Sequence, residues 1–458
     1  MLETLRFQNF KSWRDTGDIK LAPITGLFGT NSSGKSSILQ FLLMLKQTVE
    51  SADMNRILHT GNSNTYVNLG STRSFIHKND LPNYLCFSLC WKPNKSVLLP
   101  TGALSKYGEP FGGIPSYEEY KDVLALRCNL SIELDDLNVN AISYVFKSNR
   151  GVENIIGEEC IPGSEFPKKY KLFSDGDVSP LVAKQYENHV IAPFKSYGLS
   201  TRIGIAITNY IVNLVSSFEI QMREVYYLGP LRDYPRRLYS WSGEMPQSVG
   251  NRGEDTILAL LASRRQDTYV EEQVAKWLRR LGLIHSFRLS PIAENRQEYE
   301  IRVQKTSDST ETTIADVGFG VSQILPVLVL CYYVPEGSII ILEQPEIHLH
   351  PSVQAGLADL FVEVQKTRNV QIIVESHSEH LLRRLQLNVA KAELINQEQT
   401  ALYFCDMDDN GESHLMPLEI DTYGNINNWP EGFFGDEIGD LVEMTEVAMQ
   451  RQAASAES

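Results

Sequence analysis

The chain has 458 residues, of which 42% are hydrophobic, and 42 basic against 57 acidic side chains give it a formal net charge of −15. A chain of this size can bury a large core, and its acidic balance argues against a broad nonspecific surface for nucleic acid or anionic membranes. The six cysteines form no CxxC pair, no signal peptide opens the chain, and no apolar run reaches membrane-spanning length. We therefore expect a soluble, cytoplasmic protein with no membrane partner.

A glycine-rich loop near the N-terminus carries the most specific signal. Gly29 and Gly34 stand five positions apart and are followed by Lys35 and Ser36, which completes the phosphate-loop pattern G-x-x-x-x-G-K-[ST]. An apolar run predicts a strand before the loop, and residues 38–45 predict a buried helix after it. Such glycines let backbone N–H groups face a polyphosphate, while the lysine adds charge and the serine hydroxyl can ligate Mg²⁺. We predict that ATP and Mg²⁺ bind here. The predicted nucleotide-binding residues of this loop are Gly29, Asn31, Ser32, Ser33, Gly34, Lys35, Ser36 and Ser37.

Two short strands, predicted at residues 2–10 and 19–21, lead into this loop. The string Leu-Arg-Phe-Gln-Asn-Phe-Lys-Ser at residues 5–12 resembles the opening of the RecF, SMC and OLD-type ATPases. These enzymes belong to the ABC class of phosphate-loop ATPases. The resemblance implies an α/β fold built around an ABC-type ATPase head.

The middle of the chain predicts two accessory lobes. Strand-like segments separated by turn-rich stretches run from residue 84 to 173 and predict an antiparallel β side lobe. Residues 201–224 are apolar at helical spacing, and residues 254–283 predict further helix, which together indicate a helical lobe. No heptad run is long enough for an SMC-type coiled-coil arm.

Three arginines, Arg232, Arg236 and Arg237, follow a strand predicted at residues 226–228. In the ATPases that the chain resembles, an arginine in this neighbourhood can approach the nucleotide. A solvated loop with structural ion pairs is an equally good interpretation, and both stay open.

Residues 317–323 precede an apolar helix predicted at residues 324–334 and loosely resemble the signature loop of the ABC class. In that class the loop closes on the γ-phosphate of a nucleotide held by a second protomer, using small residues and a helix N-terminus. The resemblance therefore implies that Gly320 and Ser322 contact nucleotide across a homodimer or a higher even-numbered oligomer.

A second apolar strand, at residues 338–342, ends in Glu343, as a Walker B strand does. Its position predicts an acid at the sheet edge beside the phosphate loop, so Ser36 and Glu343 are the predicted metal ligands. The residues that follow resemble the Glu-Glu-Pro-Glu-x-x-Leu-His-Pro string of OLD-like ATPases. The class usually has a water-polarising glutamate directly after the Walker B acid, but Gln344 stands there. Either Gln344 orients water and hydrolysis is slow, or Glu346 substitutes as the base.

His377 follows a third apolar strand and occupies the position of the switch histidine that contacts the γ-phosphate in ABC-type ATPases. The predicted catalytic residues are Gln344, Glu346 and His377.

Two other groups of side chains suggest metals but have better explanations. The pair His348 and His350 has no further ligand at zinc spacing, and the resemblance assigns it to the D-loop of a dimer interface. The acids at positions 406, 408 and 409 suggest a nuclease centre, yet they surround an Asp-Asn-Gly turn, and too few residues follow for the TOPRIM domain of OLD nucleases.

These patterns divide the chain into five units. They are residues 1–80, the N-terminal half of the ATPase head; 81–175, the β-rich side lobe; 176–310, the helical lobe; 311–417, the C-terminal half of the head; and 418–458, a C-terminal tail.

The resemblance implies an ATP-hydrolysing dimerisation switch that acts with a separate effector protein, with a nuclease favoured, in prokaryotic defence against phage. A RecF-like ATPase that binds DNA during repair is the first alternative, and the acidic charge weighs against it. An ATP-binding scaffold with little turnover is the second, and Gln344 would suit it.

Overall fold

The computed structural model describes residues 1–79, 84–101, 116–133, 136–148, 151–162, 168–176, 193–199, 205–294, 296–430 and 444–449. Up to residue 176 the strands are β1 (Leu2–Phe10), β2 (Trp13–Asp15), β3 (Ile19–Lys20), β4 (Ile24–Gly29), β5 (Tyr84–Trp91), β6 (Val97–Thr101), β7 (Ser116–Tyr120), β8 (Leu124–Glu133), β9 (Asp136–Lys147), β10 (Glu153–Cys160) and β11 (Tyr170–Asp175). The helices of this part are α1 (Lys35–Glu50) and the single turn α2 (Thr72–Phe75).

The remaining part of the chain alternates helices with strands. Its helices are α3 (Ile205–Arg223), α4 (Thr256–Arg264), α5 (Tyr269–Arg280), α6 (Phe319–Tyr333), α7 (Pro351–Arg368) and α8 (Glu379–Lys391). Its strands are β12 (Val225–Leu228), β13 (Tyr239–Ser240), β14 (Ser286–Pro291), β15 (Glu298–Gln304), β16 (Thr312–Thr313), β17 (Ile339–Glu343), β18 (Gln371–Glu375), β19 (Thr400–Met407) and β20 (Ser413–Leu418).

A six-stranded sheet forms the nucleotide-binding half of the fold, in the order β12-β17-β18-β4-β19-β20. Its first five strands run parallel, and β20 closes the sheet as an antiparallel hairpin partner of β19. Every residue of β17 and β18 is buried, because helices cover both faces of a parallel sheet. The sequence of β17 is accordingly apolar up to Glu343, and that of β18 is apolar between Gln371 and Glu375. The carboxyl ends of all five parallel strands therefore meet at one edge.

The second large sheet is antiparallel and has the order β11-β10-β9-β8-β5-β1-β2, with β3 also paired to β1. Buried and partly exposed residues alternate along β5, so one face of the sheet packs on the core and the other faces outward. The buried helix α1 lies in the same apolar core, where Phe41 stacks on Phe7 with ring centroids 4.5 Å apart. The helix that carries the phosphate loop is thus held between the two sheets.

The predicted α/β fold class is confirmed: an antiparallel lobe and helices surround a parallel core sheet. The sequence predicted one helical stretch over residues 254–283, but the structure has two helices there, α4 and α5, and β13 to β16 form a small sheet nearby. Since β1 pairs with β5, one continuous sheet crosses the predicted boundary at residue 80, and the five-unit division stays a prediction. None of the helices in the described part of the chain is long and apolar enough to cross a membrane.

Candidate nucleotide site

The phosphate loop joins β4 to α1 and depends on its two glycines. Gly29 and Gly34 have φ angles of 132° and 93°, which side-chain-bearing residues rarely adopt. A Cβ on Gly29 would lie 2.0 Å from the carbonyl oxygen of Cys405, and one on Gly34 would lie 2.5 Å from the Ser413 hydroxyl. The hairpin of β19 and β20 thus presses on the loop, and only glycine fits at both contacts.

Lys35 and Ser36 begin helix α1 directly after the loop. The Lys35 side chain is almost fully buried, and its ammonium donates to the backbone oxygens of Gly29, at 3.1 Å, and Thr30, at 2.5 Å. Burial lowers the pKa of Lys35. The Ser36 hydroxyl donates to Oε1 of Glu375 at 2.9 Å. The loop therefore concentrates a cation, a hydroxyl and the N-terminus of a 16-residue helix at one point.

A cleft of about 420 Å³ opens over this point. Its walls combine most of the predicted loop residues with residues from α1, β18 and β19 and from the turns after β1, β17 and β18. The residues that line it are Lys11, Ser12, Asn31, Ser32, Ser33, Gly34, Lys35, Ser36, Ser37, Gln40, Gln344, Glu375, His377 and Met407. A larger cavity of about 980 Å³ lies beside the edge strand β12, but no phosphate-loop residue lines it. Chemistry, and not size, identifies the nucleotide site.

Three carboxylates beside the phosphate loop are buried: Glu375 lines the cleft, and Glu343 and Glu346 do not. Burial, and then the neighbouring Glu375, raise the pKa of Glu343 to about 7, while a hydrogen bond from the Tyr227 hydroxyl opposes the shift. Burial also raises the pKa of the other two acids. Glu343 and Glu375 are paired in register at the ends of β17 and β18. The parallel sheet thus brings together acids that lie 32 positions apart.

The turn after β17 separates Gln344 from Glu346. Gln344 has a φ of 44°, its backbone N–H donates to the Glu375 carbonyl at 2.8 Å, and its side chain lines the cleft. Glu346 turns inward, where its Oε1 accepts from the backbone N–H of His377 at 2.7 Å. Its buried Oε2 has no hydrogen-bond partner among the described residues. One residue is therefore at the cleft wall and the other behind it.

The predicted switch histidine, His377, also lines the cleft. Burial and the nearby Lys35 lower its pKa, while a hydrogen bond to the backbone of Gly29 acts in the opposite direction. The imidazole is consequently neutral near pH 7 and stands beside the phosphate loop.

The predicted signature loop lies outside the phosphate-loop cleft. Ser322 lines a separate small depression together with Arg236 and Tyr239. A Cβ on Gly318 would meet nothing within 4 Å, and one on Gly320 would make only ordinary contacts, at 3.8 Å or more. No neighbouring atom in the described part of the chain requires a glycine at either position.

The arginine cluster is divided by its surroundings. Arg232 is buried and interacts electrostatically with Glu343 and Glu346. In the part of the chain that the structure describes, its Nε and Nη1 have no hydrogen-bond partner. Burial lowers the pKa of Arg232 to about 10. Arg237 is exposed and forms an ion pair with Asp316 at 2.6 Å. The ion-pair interpretation fits Arg237, while the approach of an arginine to the nucleotide stays a prediction.

Two of the side chains that suggested metal centres, His350 and Asp408, have structural roles. His350 caps α7, since its Nδ1 accepts from the backbone N–H of Ser352 at 3.3 Å. Asp408 accepts from the backbone N–H groups of Asn410 and Glu412 within the β19–β20 turn.

Sequence reasoning missed Glu375, Lys11 and Tyr227. Glu375 ends an apolar strand as Glu343 does, so the same signal would have found it. Lys11 belongs to the Asn-Phe-Lys-Ser string, and it hydrogen-bonds Gln40 at the cleft wall. Tyr227 carries no motif, and only the strand order brings it to Glu343.

The residues present fit ATP and Mg²⁺. Gly29 and Gly34 keep a cradle open that a Cβ would fill, and buried oxygens of Glu346 and Glu375 lack partners. Lys35 and the loop N–H groups would hold phosphates, and Ser36 with the strand-end acids would hold the metal ion.

Comparison with known proteins agrees with this site. The sequence matches the family described as AAA ATPase domain over residues 1–161 and 262–382, and the chain belongs to this family. A second match, to a family described as a protein of unknown function, covers residues 395–444. The predicted phosphate-loop ATPase is confirmed by this match, while the ABC type, the RecF- and SMC-like group and the OLD-type branch stay predictions. No curated protein matches the sequence significantly.

Several solved structures are similar over nearly their whole length. One is an SMC head bound to the C-terminal winged-helix domain of ScpA (12% identity, TM-score 0.44, 92% of this chain and 98% of that one). Another is the SMC head domain from Thermotoga maritima (14%, 0.39, 92% and 99%). A third is the SMC head with an extended coiled coil bound to the C-terminal domain of ScpA, from Pyrococcus furiosus (12%, 0.39, 91% and 96%).

Proposed function

We propose that this protein is an ATP-binding and ATP-hydrolysing switch that dimerises around nucleotide. The observation that carries the proposal is the convergence of Lys35, the Ser36 hydroxyl and the Glu375 carboxylate at the mouth of a glycine cradle. Lys35 binds phosphate oxygens, and the loop N–H groups orient them. Mg²⁺, when bound, supplies charge neutralisation on the phosphates.

Hydrolysis needs a group that orients water and a group that takes its proton. Gln344 has an amide at the cleft wall and suits the first task. Glu346 has a buried carboxylate that is held by the His377 N–H through Oε1, which leaves Oε2 free to accept a proton. His377 contributes a neutral imidazole beside the phosphate loop. An alternative of the same class is a scaffold that binds ATP and scarcely turns it over.

Dimerisation completes the site in this proposal. The signature loop is separate from the phosphate-loop cleft of its own chain, and Gly318 and Gly320 leave room for close approach by another molecule. A second protomer would bring its own α6 N-terminus, with Gly320 and Ser322, against nucleotide held by the first. Helix N-termini bind anions, so this contact would depend on the γ-phosphate.

Nucleotide binding is tested with the Lys35→Ala variant. Loss of a charged hydrogen-bond donor to phosphate should weaken binding of a fluorescent ATP analogue by about tenfold to a hundredfold. Lys366→Ala, an exposed lysine on α7, is the matched control and should bind like the wild type. Unchanged affinity in a folded Lys35→Ala protein would refute the assignment.

The biological role proposed is defence against phage together with a separate effector, such as a nuclease. The resemblance of residues 5–12 and 343–351 to OLD-type ATPases supports it. The gene and its chromosomal neighbours should lower phage plating efficiency in a sensitive host, and Lys35→Ala should remove the protection. Equal plating with and without the genes, or DNA binding that depends on ATP, would favour the RecF-like repair function instead.

A further inference from the structure

The carboxylate in contact with the phosphate-loop serine belongs to Glu375. The Ser36 Oγ donates its hydrogen to Oε1 of Glu375 at 2.9 Å. A hydroxyl has one hydrogen and two lone pairs, so this hydrogen bond leaves the oxygen lone pairs available to a cation. Serine and Glu375 together therefore present oxygen atoms to a single point, next to the Lys35 ammonium.

The order of strands explains why this acid reaches the serine. β18 pairs directly with β4, the strand that leads into the phosphate loop, and it separates β4 from β17. Neighbouring strands are about 4.8 Å apart, so Glu343 starts one strand spacing further from the loop than Glu375 does. Since the two acids are paired in register, Glu343 stands beside Glu375 on the side away from Ser36.

Among the residues that the structure describes, none gives the second oxygen of Glu375 a hydrogen bond. The side chain is 4% exposed, and Oε2 is buried without a hydrogen bond. Buried polar atoms are nearly always satisfied, because leaving one unpaired costs free energy. A hard divalent cation would satisfy this oxygen, because such cations bind carboxylate and hydroxyl oxygens together. In nucleotide sites Mg²⁺ is usually bound by one or two carboxylates in addition to the phosphates.

We propose that Glu375 is a ligand of the Mg²⁺ ion together with Ser36, and that Glu343 is the second acid of the centre. This inference rests on the proposed function, because the metal ion enters with the nucleotide. It changes the predicted ligand set, which paired Ser36 with Glu343 alone.

The first test measures metal binding without turnover. Mn²⁺ binding in the presence of ADP is followed by electron paramagnetic resonance for wild type, Glu375→Gln, Glu343→Gln and the control Glu379→Gln, whose side chain pairs with Arg383 on α8. Loss of the ligand should weaken Mn²⁺ binding at least about tenfold in Glu375→Gln, with a smaller loss in Glu343→Gln. Binding of ADP in EDTA should stay unchanged. Wild-type Mn²⁺ affinity in folded Glu375→Gln would overturn the proposal.

A metal-preference switch separates ligation from a structural role. A thiolate binds Cd²⁺ in preference to Mg²⁺. In Glu375→Cys, therefore, Mg²⁺ should no longer increase the affinity for fluorescent ADP, whereas Cd²⁺ should still increase it. Glu379→Cys controls for cation binding by an added thiol, and the wild type controls for its own cysteines. The proposal is wrong if neither ion increases the ADP affinity of Glu375→Cys while Mg²⁺ still increases that of the control. Glu375 would then only support the fold.

Failure of this inference differs from failure of the proposed function. If wild type binds no Mg-nucleotide and Lys35→Ala changes nothing, the proposed function is wrong. If wild type binds Mg-nucleotide through Lys35 and Glu375→Gln binds Mn²⁺ equally well, only the role of Glu375 is wrong.

Discussion

Acidic side chains around the phosphate loop differ in their contacts, and those contacts separate their roles. Glu375 accepts a hydrogen bond from the Ser36 hydroxyl, and Glu343 accepts one from the Tyr227 hydroxyl. Glu346 accepts one from the backbone N–H of His377. Gln344 lines the same cleft as Glu375. Substitutions that exchange a carboxylate and an amide at single positions can therefore test each role with little change in shape.

The first prediction concerns Gln344 and Glu346. If the amide only positions water, Gln344→Glu should raise the steady-state ATPase rate by ~10²-fold, the low end of a positioned general base. If Glu346 is the working base, Glu346→Gln should stop hydrolysis while nucleotide binding is kept, and Gln344→Glu should change little. Both rates are measured side by side with Glu379→Gln as the control. If the wild type hydrolyses ATP rapidly and neither substitution changes its rate, neither the Gln344 hypothesis nor the Glu346 hypothesis is supported.

The second prediction follows from the pKa of Glu343, which is raised to about 7 by burial and by Glu375. An unfolded glutamate has a pKa of about 4.3, so between about pH 4.3 and 7 the folded protein holds the proton that the unfolded chain has lost. The free energy of unfolding must then fall as pH rises through this window. Glu343→Gln should remove the part of that fall that Glu343 contributes and so gain on the order of 3 kcal/mol on the wild type between pH 4 and 8. The part that Glu346 and Glu375 contribute should remain.

Urea unfolding in EDTA without nucleotide measures this difference. The control Glu379→Gln should follow the wild-type pH dependence. A Glu343→Gln curve parallel to that of the wild type across the whole window would contradict the prediction.

At the scale of elements, the hairpin of β19 and β20 and the turn between β1 and β2 support the phosphate loop from outside. Ser413 donates from its backbone to Ser12 at 2.9 Å, and their hydroxyls lie 2.6 Å apart. The Trp13 indole donates to the Gly34 carbonyl at 3.1 Å. Residues that are distant in sequence, at positions 12–13 and 413, thus hold the conformation of the phosphate loop from outside it.

The third prediction tests this support through Gly29→Ala. The added Cβ would clash with the Cys405 carbonyl, and alanine rarely adopts the φ of 132° at this position. We therefore expect the free energy of unfolding to fall by about 2–4 kcal/mol and nucleotide binding to weaken. Gly17→Ala is the matched control, because its φ is also positive but its Cβ would meet nothing within 4 Å. Thermal unfolding and fluorescent-nucleotide titration check both. Equal effects at the two glycines would mean that the hairpin contact is unimportant.

At the scale of the whole molecule, the signature loop and the phosphate loop are on separate surfaces of one chain. A site divided in this way predicts an association that depends on nucleotide. Gly318, just before α6, and Gly320, in its first turn, leave room for a partner at the signature loop.

The fourth prediction is that a non-hydrolysable ATP analogue shifts the wild type from monomer to dimer in light scattering. Gly318→Arg should remain a monomer and still bind nucleotide, because position 318 has ordinary φ and ψ angles and open space within its own chain. Gly318→Ser adds little bulk and should still dimerise. A nucleotide-bound wild-type monomer with full turnover would contradict the divided site.

Local patterns were enough to predict the phosphate loop, the apolar strands and their polar ends, because each depends on residues within a few positions of one another. Gly29, Gly34, Lys35 and Ser36 belong to one loop and helix start, and burial on both faces of a parallel sheet makes strands such as residues 339–343 and 371–375 recognisable as apolar runs. The α/β fold class followed from these runs and from the resemblance.

Strand order decided the rest, since hydrogen bonding between distant strands leaves no local pattern. That β18 lies between β4 and β17 brings Glu375 to Ser36 across 339 positions, and that β12 borders β17 brings Tyr227 to Glu343. The pairing of β1 with β5 likewise joins segments that composition had assigned to separate units. The sequence by itself determined which chemical groups the site contains, and the tertiary structure decided which of them touch.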